Sequence, residues 1–164
     1  MAEISPRRAI RGVFIAALIA LGTPAGAADF PRLDEPAFAV GDYAGDVVLL
    51  DFWASWCVPC KSSFPWMSRM QEKYRADGLQ VIAVNVDQDK FAAAEFMHQY
   101  RSEFTVVFDP EGVIAKEYAL LGMPSSYVLD RSGAVLWSHK GFRVRDEAAL
   151  EARLVDALQR QAAN

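Results

Sequence analysis

Residues 51–61, DFWASWCVPCK, contain both cysteines of this 164-residue chain, Cys57 and Cys60, with two residues between them. The run that leads into them, residues 46–53 (DVVLLDFW), is short, apolar and rich in β-formers, which predicts a buried strand. Residues 58–76 then carry apolar side chains at helical spacing, which predicts a helix. We therefore expect the cysteine pair at the point where a buried strand leads into a helix.

This position has a chemical consequence for the two thiols. The first sulfur lies at the amino end of a helix, where unpaired N–H groups and the helix dipole favour a thiolate. The second sulfur lies one turn further along, close enough to form a small disulfide ring with the first. We expect Cys57 to be the exposed attacking thiol and Cys60 the buried resolving thiol.

Three other uses of the pair stay open beside redox exchange. A structural disulfide is one, although a bridge across so short a loop constrains the unfolded chain little. Zinc is another, but it needs four ligands, and His98 and His139 are isolated in the sequence. Cu(I) is the third, because two soft thiolates suit it. Redox exchange is the use that the pattern favours, and it requires neither a metal nor a flavin.

The rest of the chain alternates predicted strands and helices. The length of the chain predicts one domain. Short apolar runs in it predict strands, and amphipathic segments predict helices. The predicted strands are residues 79–86, 104–108, 125–129 and 134–139, and the predicted helices are residues 90–101, 113–119 and 146–161. Strands that alternate with helices and end in a hairpin indicate an α/β fold with a mixed sheet.

The N-terminus has the composition of an export signal. Three arginines precede an apolar run at residues 13–21, and residues 25–27 (AGA) offer a small-residue cleavage site. The apolar core is about half of the ~20 residues that span a bilayer, although an uncleaved anchor remains the alternative. We expect residues 1–27 to be a signal peptide, residues 28–164 to be the domain, and the protein to be periplasmic or otherwise extracytoplasmic.

The charge of the chain bears on its partners. The formal net charge is −4, which gives the chain no basic footprint. Nucleic acid is therefore an unsuitable partner. We expect a monomer that acts on other proteins.

The segment Trp56-Cys57-Val58-Pro59-Cys60-Lys61 resembles the active-site motif of the thioredoxin superfamily. With the export signal and the chain length, it makes the chain most similar to the bacterial TlpA/ResA-like thiol–disulfide oxidoreductases. The resemblance implies a thioredoxin-like fold, with a central mixed sheet flanked by helices. Residues 87–122 are longer than in a plain thioredoxin, which fits the extra strand–helix insertion of the TlpA/ResA group.

The resemblance also implies roles for individual residues. Asp51 matches the buried carboxylate beneath the resolving cysteine, and it would accept the Cys60 proton as a general base. Residues 122–125 (GMPS) resemble the loop whose cis-proline lies beside the disulfide, here Pro124. That loop would hold a partner in an extended pose. The implied substrate-binding residues are Trp56, Pro59, Met123, Pro124 and Gly141, of which Gly141 would let a partner's backbone approach.

The resemblance implies partners and a direction for the reaction. The partners are a protein disulfide substrate and a membrane-embedded thiol electron donor. Strongly oxidising members of the superfamily have a histidine inside the motif, whereas this chain has Val58 and Pro59, so we expect a reductase. A copper-binding module and a disulfide donor remain the alternatives. Ser63 stands where the TlpA/ResA group often has a glutamate, which bears on partner choice.

Overall fold

A computed structural model describes residues 38–162 of the chain. The predicted signal peptide, residues 1–27, lies outside the described residues, as do both ends of the predicted domain at residues 28–164. Within the described part, no helix combines the length and the apolar character that crossing a membrane requires.

A single five-stranded sheet forms the centre of the molecule. Its strands are β1 (Val47–Trp53), β2 (Leu79–Asn85), β3 (Thr105–Phe108), β4 (Ser125–Leu129) and β5 (Val135–Lys140). Their order is β3-β2-β1-β4-β5. Strand β1 runs parallel to β2 and β2 parallel to β3, whereas β4 is antiparallel to both β1 and β5. The predicted mixed sheet with a closing hairpin is confirmed.

Among the described residues, four α-helices accompany the sheet: α1 (Cys60–Tyr74), α2 (Lys90–Gln99), α3 (Val113–Glu117) and α4 (Glu147–Ala162). Short 3₁₀ turns cover Val40–Tyr43, Arg75–Asp77 and Val144–Asp146. Helix α2 and strand β3 lie in the long segment between β2 and β4, and β3 adds a parallel edge strand beside β2. This helix–strand unit is the insertion that the resemblance implies.

Strand β1 is buried along its whole length, so its alternate side chains face two separate apolar clusters. Leu49 and Trp53 belong to the larger cluster, which also contains the two cysteines and core residues of α1 and α4. Leu50 and Phe52 belong to the smaller cluster on the opposite face. The alternation therefore directs Asp51, between Leu50 and Phe52, to the face of the sheet that contains the cysteines.

Helix α1 begins at Cys60, two residues later than the predicted start at residue 58. Residues 57–59 form a tight turn instead, in which the Cys60 N–H donates to the Cys57 carbonyl at 3.2 Å. The rigid ring of Pro59 occupies the N-cap position with helical backbone angles. The turn therefore extends the amino end of α1 back to Cys57.

Candidate active site

Cys57 and Cys60 form a disulfide across this turn, with 5.3 Å between their Cα atoms. Cys57 is 4% exposed and Cys60 is fully buried. The prediction that Cys57 is exposed is therefore wrong for this oxidised state, because its sulfur is bonded to Cys60 and belongs to the same apolar cluster, against which Met123 packs. Cys57 is the more accessible of the two cysteines.

A buried hydrogen-bond network holds the loop that precedes Cys57. The Asp87 carboxylate accepts hydrogen bonds from the Ser55 N–H at 2.8 Å, the Ser55 hydroxyl at 3.0 Å and the Asn85 amide at 2.8 Å. The side-chain oxygen Oδ1 of Asn85 in turn accepts the Asp87 N–H at 3.1 Å. Since Asn85 and Asp87 are buried at the carboxyl end of β2, the network fixes the start of the cysteine loop to the central sheet.

Asp51 is a buried carboxylate on the cysteine face of the sheet, 1% exposed. Its Oδ1 accepts a hydrogen bond from the Ser126 hydroxyl at 2.6 Å, and its Oδ2 is buried with no hydrogen-bond partner. Burial raises the pKa of Asp51 from 3.8 to about 7, and the Ser126 hydrogen bond lowers it in part. A group with this pKa both accepts and releases a proton near neutral pH.

The loop before β4 brings two predicted residues together. The Met123–Pro124 peptide bond is cis, the isomer expected from the sequence. The Pro124 carbonyl accepts the Gly141 N–H at 2.8 Å, and Gly141 has a φ of +82°, a conformation that glycine adopts readily. A Cβ atom at Gly141 would meet nothing within 4 Å, so the space beside it is open.

The remaining predicted contacts differ in accessibility. Trp56 is 68% exposed beside Cys57, and Val58 inside the motif is 71% exposed. Pro59 and Met123 are partly buried, whereas Pro124 is buried. Pro124 has no N–H and its carbonyl is bonded to Gly141, and its contact with a substrate stays a prediction. Trp56, Pro59, Met123 and Gly141 are thus the accessible members of the predicted set.

Ser63 is buried and donates its hydroxyl to the Cys60 carbonyl at 3.1 Å. The position where the TlpA/ResA group often has a glutamate is therefore occupied by a small side chain bonded to its own helix. Residues 38–162 contain no group of three or more His, Cys, Asp or Glu side chains placed to hold a metal ion.

Two contributions to the site were missed from the sequence. Ser126 was not singled out, although it lies two residues after Pro124 and directly opposite Asp51 in the β1–β4 ladder. Asp87 was also missed, although the polar Asn85 at the end of an apolar run signals a buried hydrogen-bond network. Both residues act through contacts between distant parts of the chain.

Comparisons with known proteins agree with this geometry. A family model described as Redoxin matches residues 20–154. The thiol-disulfide oxidoreductase ResA of Bacillus thuringiensis subsp. konkukian is 34% identical over 106 residues, which are 65% of this chain and 61% of the relative. The chain thus spans about three fifths of the length of that curated relative.

Two solved structures are also similar to this chain. A Chlorobium tepidum protein assigned as a thiol:disulfide interchange protein DsbE is 52% identical with a TM-score of 0.71, and the match covers 73% of this chain and 84% of that one. StoA of Bacillus subtilis is 26% identical with a TM-score of 0.58, and the match covers 66% and 81%.

Proposed function

The chain belongs to the Redoxin family, and on that premise we propose that it is a thiol–disulfide oxidoreductase that exchanges electrons with disulfides of partner proteins. The matches to ResA- and DsbE-type proteins confirm the resemblance to the TlpA/ResA-like group. The observation that carries the proposal is the Cys57–Cys60 disulfide at the amino end of α1, on the same face of the sheet as a buried carboxylate whose pKa is about 7.

The reaction proceeds in two exchanges. The Cys57 thiolate of the reduced protein attacks one sulfur of a partner disulfide, which forms a mixed disulfide and releases one partner thiolate. Asp51 then accepts the proton of the Cys60 thiol, and the Cys60 thiolate attacks the Cys57 sulfur. The second partner thiolate leaves and takes up a proton, so that the partner gains two electrons and the protein ends as the disulfide described above.

The partner docks around the exposed side of the disulfide. Trp56 offers a large amphipathic surface next to Cys57. In the loop before β4, the partner binds the backbone of Met123, because the Pro124 carbonyl already accepts the Gly141 N–H. The open space beside Gly141 leaves room for a partner's main chain in an extended pose.

The electrostatics favour reduction of the partner. A strongly oxidising pair needs a well-stabilised Cys57 thiolate, and neither Val58 nor Pro59 supplies a charge or a side-chain hydrogen bond to it. An ionised Asp51 opposes a thiolate on the same face. We place the reduction potential at about −200 mV or lower.

Location and partners follow from the sequence. The leader at residues 1–27 supports an extracytoplasmic location for the domain at residues 28–164. A reductase in an oxidising compartment has to be re-reduced, so we include a membrane-embedded thiol donor as the second partner. The acidic net charge argues against nucleic acid, and the domain is proposed to act as a monomer without a cofactor.

Mixing the reduced protein with insulin tests the activity. With a reductant present, the wild type should cleave the insulin disulfides. Equilibration with glutathione measures its reduction potential, which should be about −200 mV or lower. A potential near −120 mV, the value of a strong oxidant, would instead make the protein a disulfide donor. Absence of exchange together with stoichiometric Cu(I) binding would identify a copper-binding module.

A further inference from the structure

Three side chains form a row across the sheet from the buried carboxylate towards the edge strand. Asp51 on β1 lies directly opposite Ser126 on β4, and Ser126 lies directly opposite His139 on β5. Residues paired in antiparallel strands project to the same face, with Cβ atoms about 5 Å apart. The burial pattern agrees, because Trp137, two residues before His139, packs on the cluster that contains the cysteines.

The row becomes more exposed with each step. Asp51 is 1% exposed and Ser126 is 9% exposed, whereas His139 is partly exposed on a strand whose other face is open. The hydrogen bond from the Ser126 hydroxyl to Asp51 Oδ1 is short, at 2.6 Å. The buried Oδ2, which has no partner, stays available for a proton that arrives from the cysteine side.

A carboxylate has to be unprotonated before it can serve as a base. A protonated Asp51 therefore has to release its proton before it can accept the proton of Cys60, and bulk water does not reach a fully buried group directly. A hydroxyl both donates and accepts hydrogen bonds, and imidazole exchanges protons readily near neutral pH. Ser126 and His139 therefore have the chemistry that a path from Asp51 to solvent requires.

We propose that Ser126 and His139 form a proton path that connects Asp51 with solvent during resolution of the mixed disulfide. This inference rests on the proposed function. Protonated Asp51 gives its proton to the Ser126 oxygen while the Ser126 proton passes to the imidazole, directly or through one water, and the imidazolium releases it to solvent. The steps run in reverse when the disulfide is reduced and Cys60 regains its proton.

The other ionisable groups around this face have their own partners. Glu147 and Glu151 of α4 bind Arg69 and Lys73 of α1 at 2.7 and 2.6 Å. Asp87 is held by Ser55 and Asn85. Arg153 of α4 lies over the Trp137 ring on this face, 5.5 Å from the ring centroid. Cys60 at the start of α1 and His139 on β5 are the groups that the proposal connects through Asp51.

A stopped-flow experiment tests the path. The reduced protein is mixed with an aryl disulfide that releases one coloured thiol on attack by Cys57 and a second on resolution by Cys60. The second phase is followed from pH 6 to 9 for the wild type and for Ser126→Ala, Ser126→Thr and His139→Ala. His98→Ala is the matched control, because His98 is exposed on α2.

The expected results differ for each variant. Ser126→Ala removes the hydrogen bond that lowers the pKa of Asp51, so its profile should move to higher pH by roughly one unit, and Ser126→Thr should restore it. His139→Ala should slow the second phase roughly tenfold, and added imidazole should restore the rate. His98→Ala should match the wild type with and without imidazole.

Two other outcomes are distinguishable. Wild-type rates in Ser126→Ala and His139→Ala, or a slow His139→Ala that imidazole does not restore, would overturn the proton path while the exchange activity stands. Absence of any second phase in the wild type would instead contradict the proposed function itself. Thermal unfolding of each variant separates a loss of rate from a loss of fold.

Discussion

The Asp87 carboxylate binds both the backbone N–H and the hydroxyl of Ser55, at 2.8 and 3.0 Å, across 32 residues of sequence. This contact fixes the loop between β1 and Cys57 to the carboxyl end of β2. Asp87, which lies outside the Cys-x-x-Cys motif, thus helps to position the loop that carries the attacking sulfur of Cys57.

Asp87→Asn should weaken this contact. The amide replaces one acceptor oxygen with a donor that faces other donors, so the variant should lose about 2 kcal/mol of unfolding free energy. It should also exchange disulfides more slowly, because the Cys57 loop is less ordered. Denaturant unfolding and the insulin assay measure the two effects.

Asp89→Asn is the matched control for that change. Asp89 caps α2 by accepting the Phe91 N–H at 2.9 Å from an exposed position, and asparagine caps helices equally well. Its stability and activity should equal those of the wild type. Equal stability of Asp87→Asn and Asp89→Asn would show that the Ser55 contact contributes nothing.

Asp51→Asn should alter the pH dependence of stability. The folded pKa of about 7 lies above the ordinary value of 3.8, so the carboxyl group favours the folded state at pH below 4, and this contribution is lost as pH rises to 7. Above pH 7 the wild type is therefore penalised by at most about 4 kcal/mol. Asp51→Asn should be more stable than the wild type at pH 8 yet resolve mixed disulfides more slowly.

Unfolding curves of the oxidised proteins at pH 5 and pH 8 test this sign. The difference in stability between the variant and the wild type should grow with pH. A constant difference across this range would mean that Asp51 titrates at the same pH in the folded and unfolded chains.

Gly141→Ala should strain the backbone without a steric clash. A left-handed conformation costs a residue with a Cβ atom roughly 1–2 kcal/mol, and the added methyl would occupy the open space where a partner is proposed to lie. The rate of insulin reduction should therefore fall even under conditions where unfolding measurements show that the variant is fully folded.

Gly41→Ala provides the comparison, because Gly41 also has nothing within 4 Å of an added Cβ but lacks a positive φ. This variant should keep wild-type stability and activity. A Gly141→Ala variant with the same profile as Gly41→Ala would remove Gly141 from the docking surface.

Trp56→Ala should act on partner binding more than on folding. The side chain is 68% exposed, so its loss should change the unfolding free energy little. With insulin as substrate, kcat/KM should fall severalfold, whereas the rate with a small aryl disulfide should be nearly unchanged. Equal losses on both substrates would assign Trp56 to the chemistry of Cys57 rather than to docking.

The sheet could be predicted closely because its strands are short apolar runs with clear ends. The predicted 46–53 and 125–129 correspond to Val47–Trp53 and Ser125–Leu129 in the structure. The starts of α2 and α3 were predicted at residues 90 and 113, where the structure has them. Helix α1 begins two residues later than predicted, at Cys60, because residues 57–59 form a turn that includes Pro59.

The motif predicted the disulfide residues, but their surroundings depend on contacts that local sequence does not encode. The hydrogen bond between Ser126 and Asp51 joins residues 75 apart, and it follows from the pairing of β4 with β1. The burial of Cys57 likewise follows from tertiary packing rather than from the Cys-x-x-Cys spacing. The pairing of strands and the tertiary packing therefore determine these two features of the site, which could not be predicted from the motif.

Mass spectrometry of single-cysteine variants tests the central claim most directly. After incubation with a peptide disulfide, Cys60→Ser should accumulate one stable adduct on Cys57, because no second thiol resolves it. Cys57→Ser should accumulate little, since Cys60 is fully buried. Equal adduct formation by the two variants, or an adduct only on Cys60, would contradict the assignment of Cys57 as the attacking thiol and Cys60 as the resolving thiol.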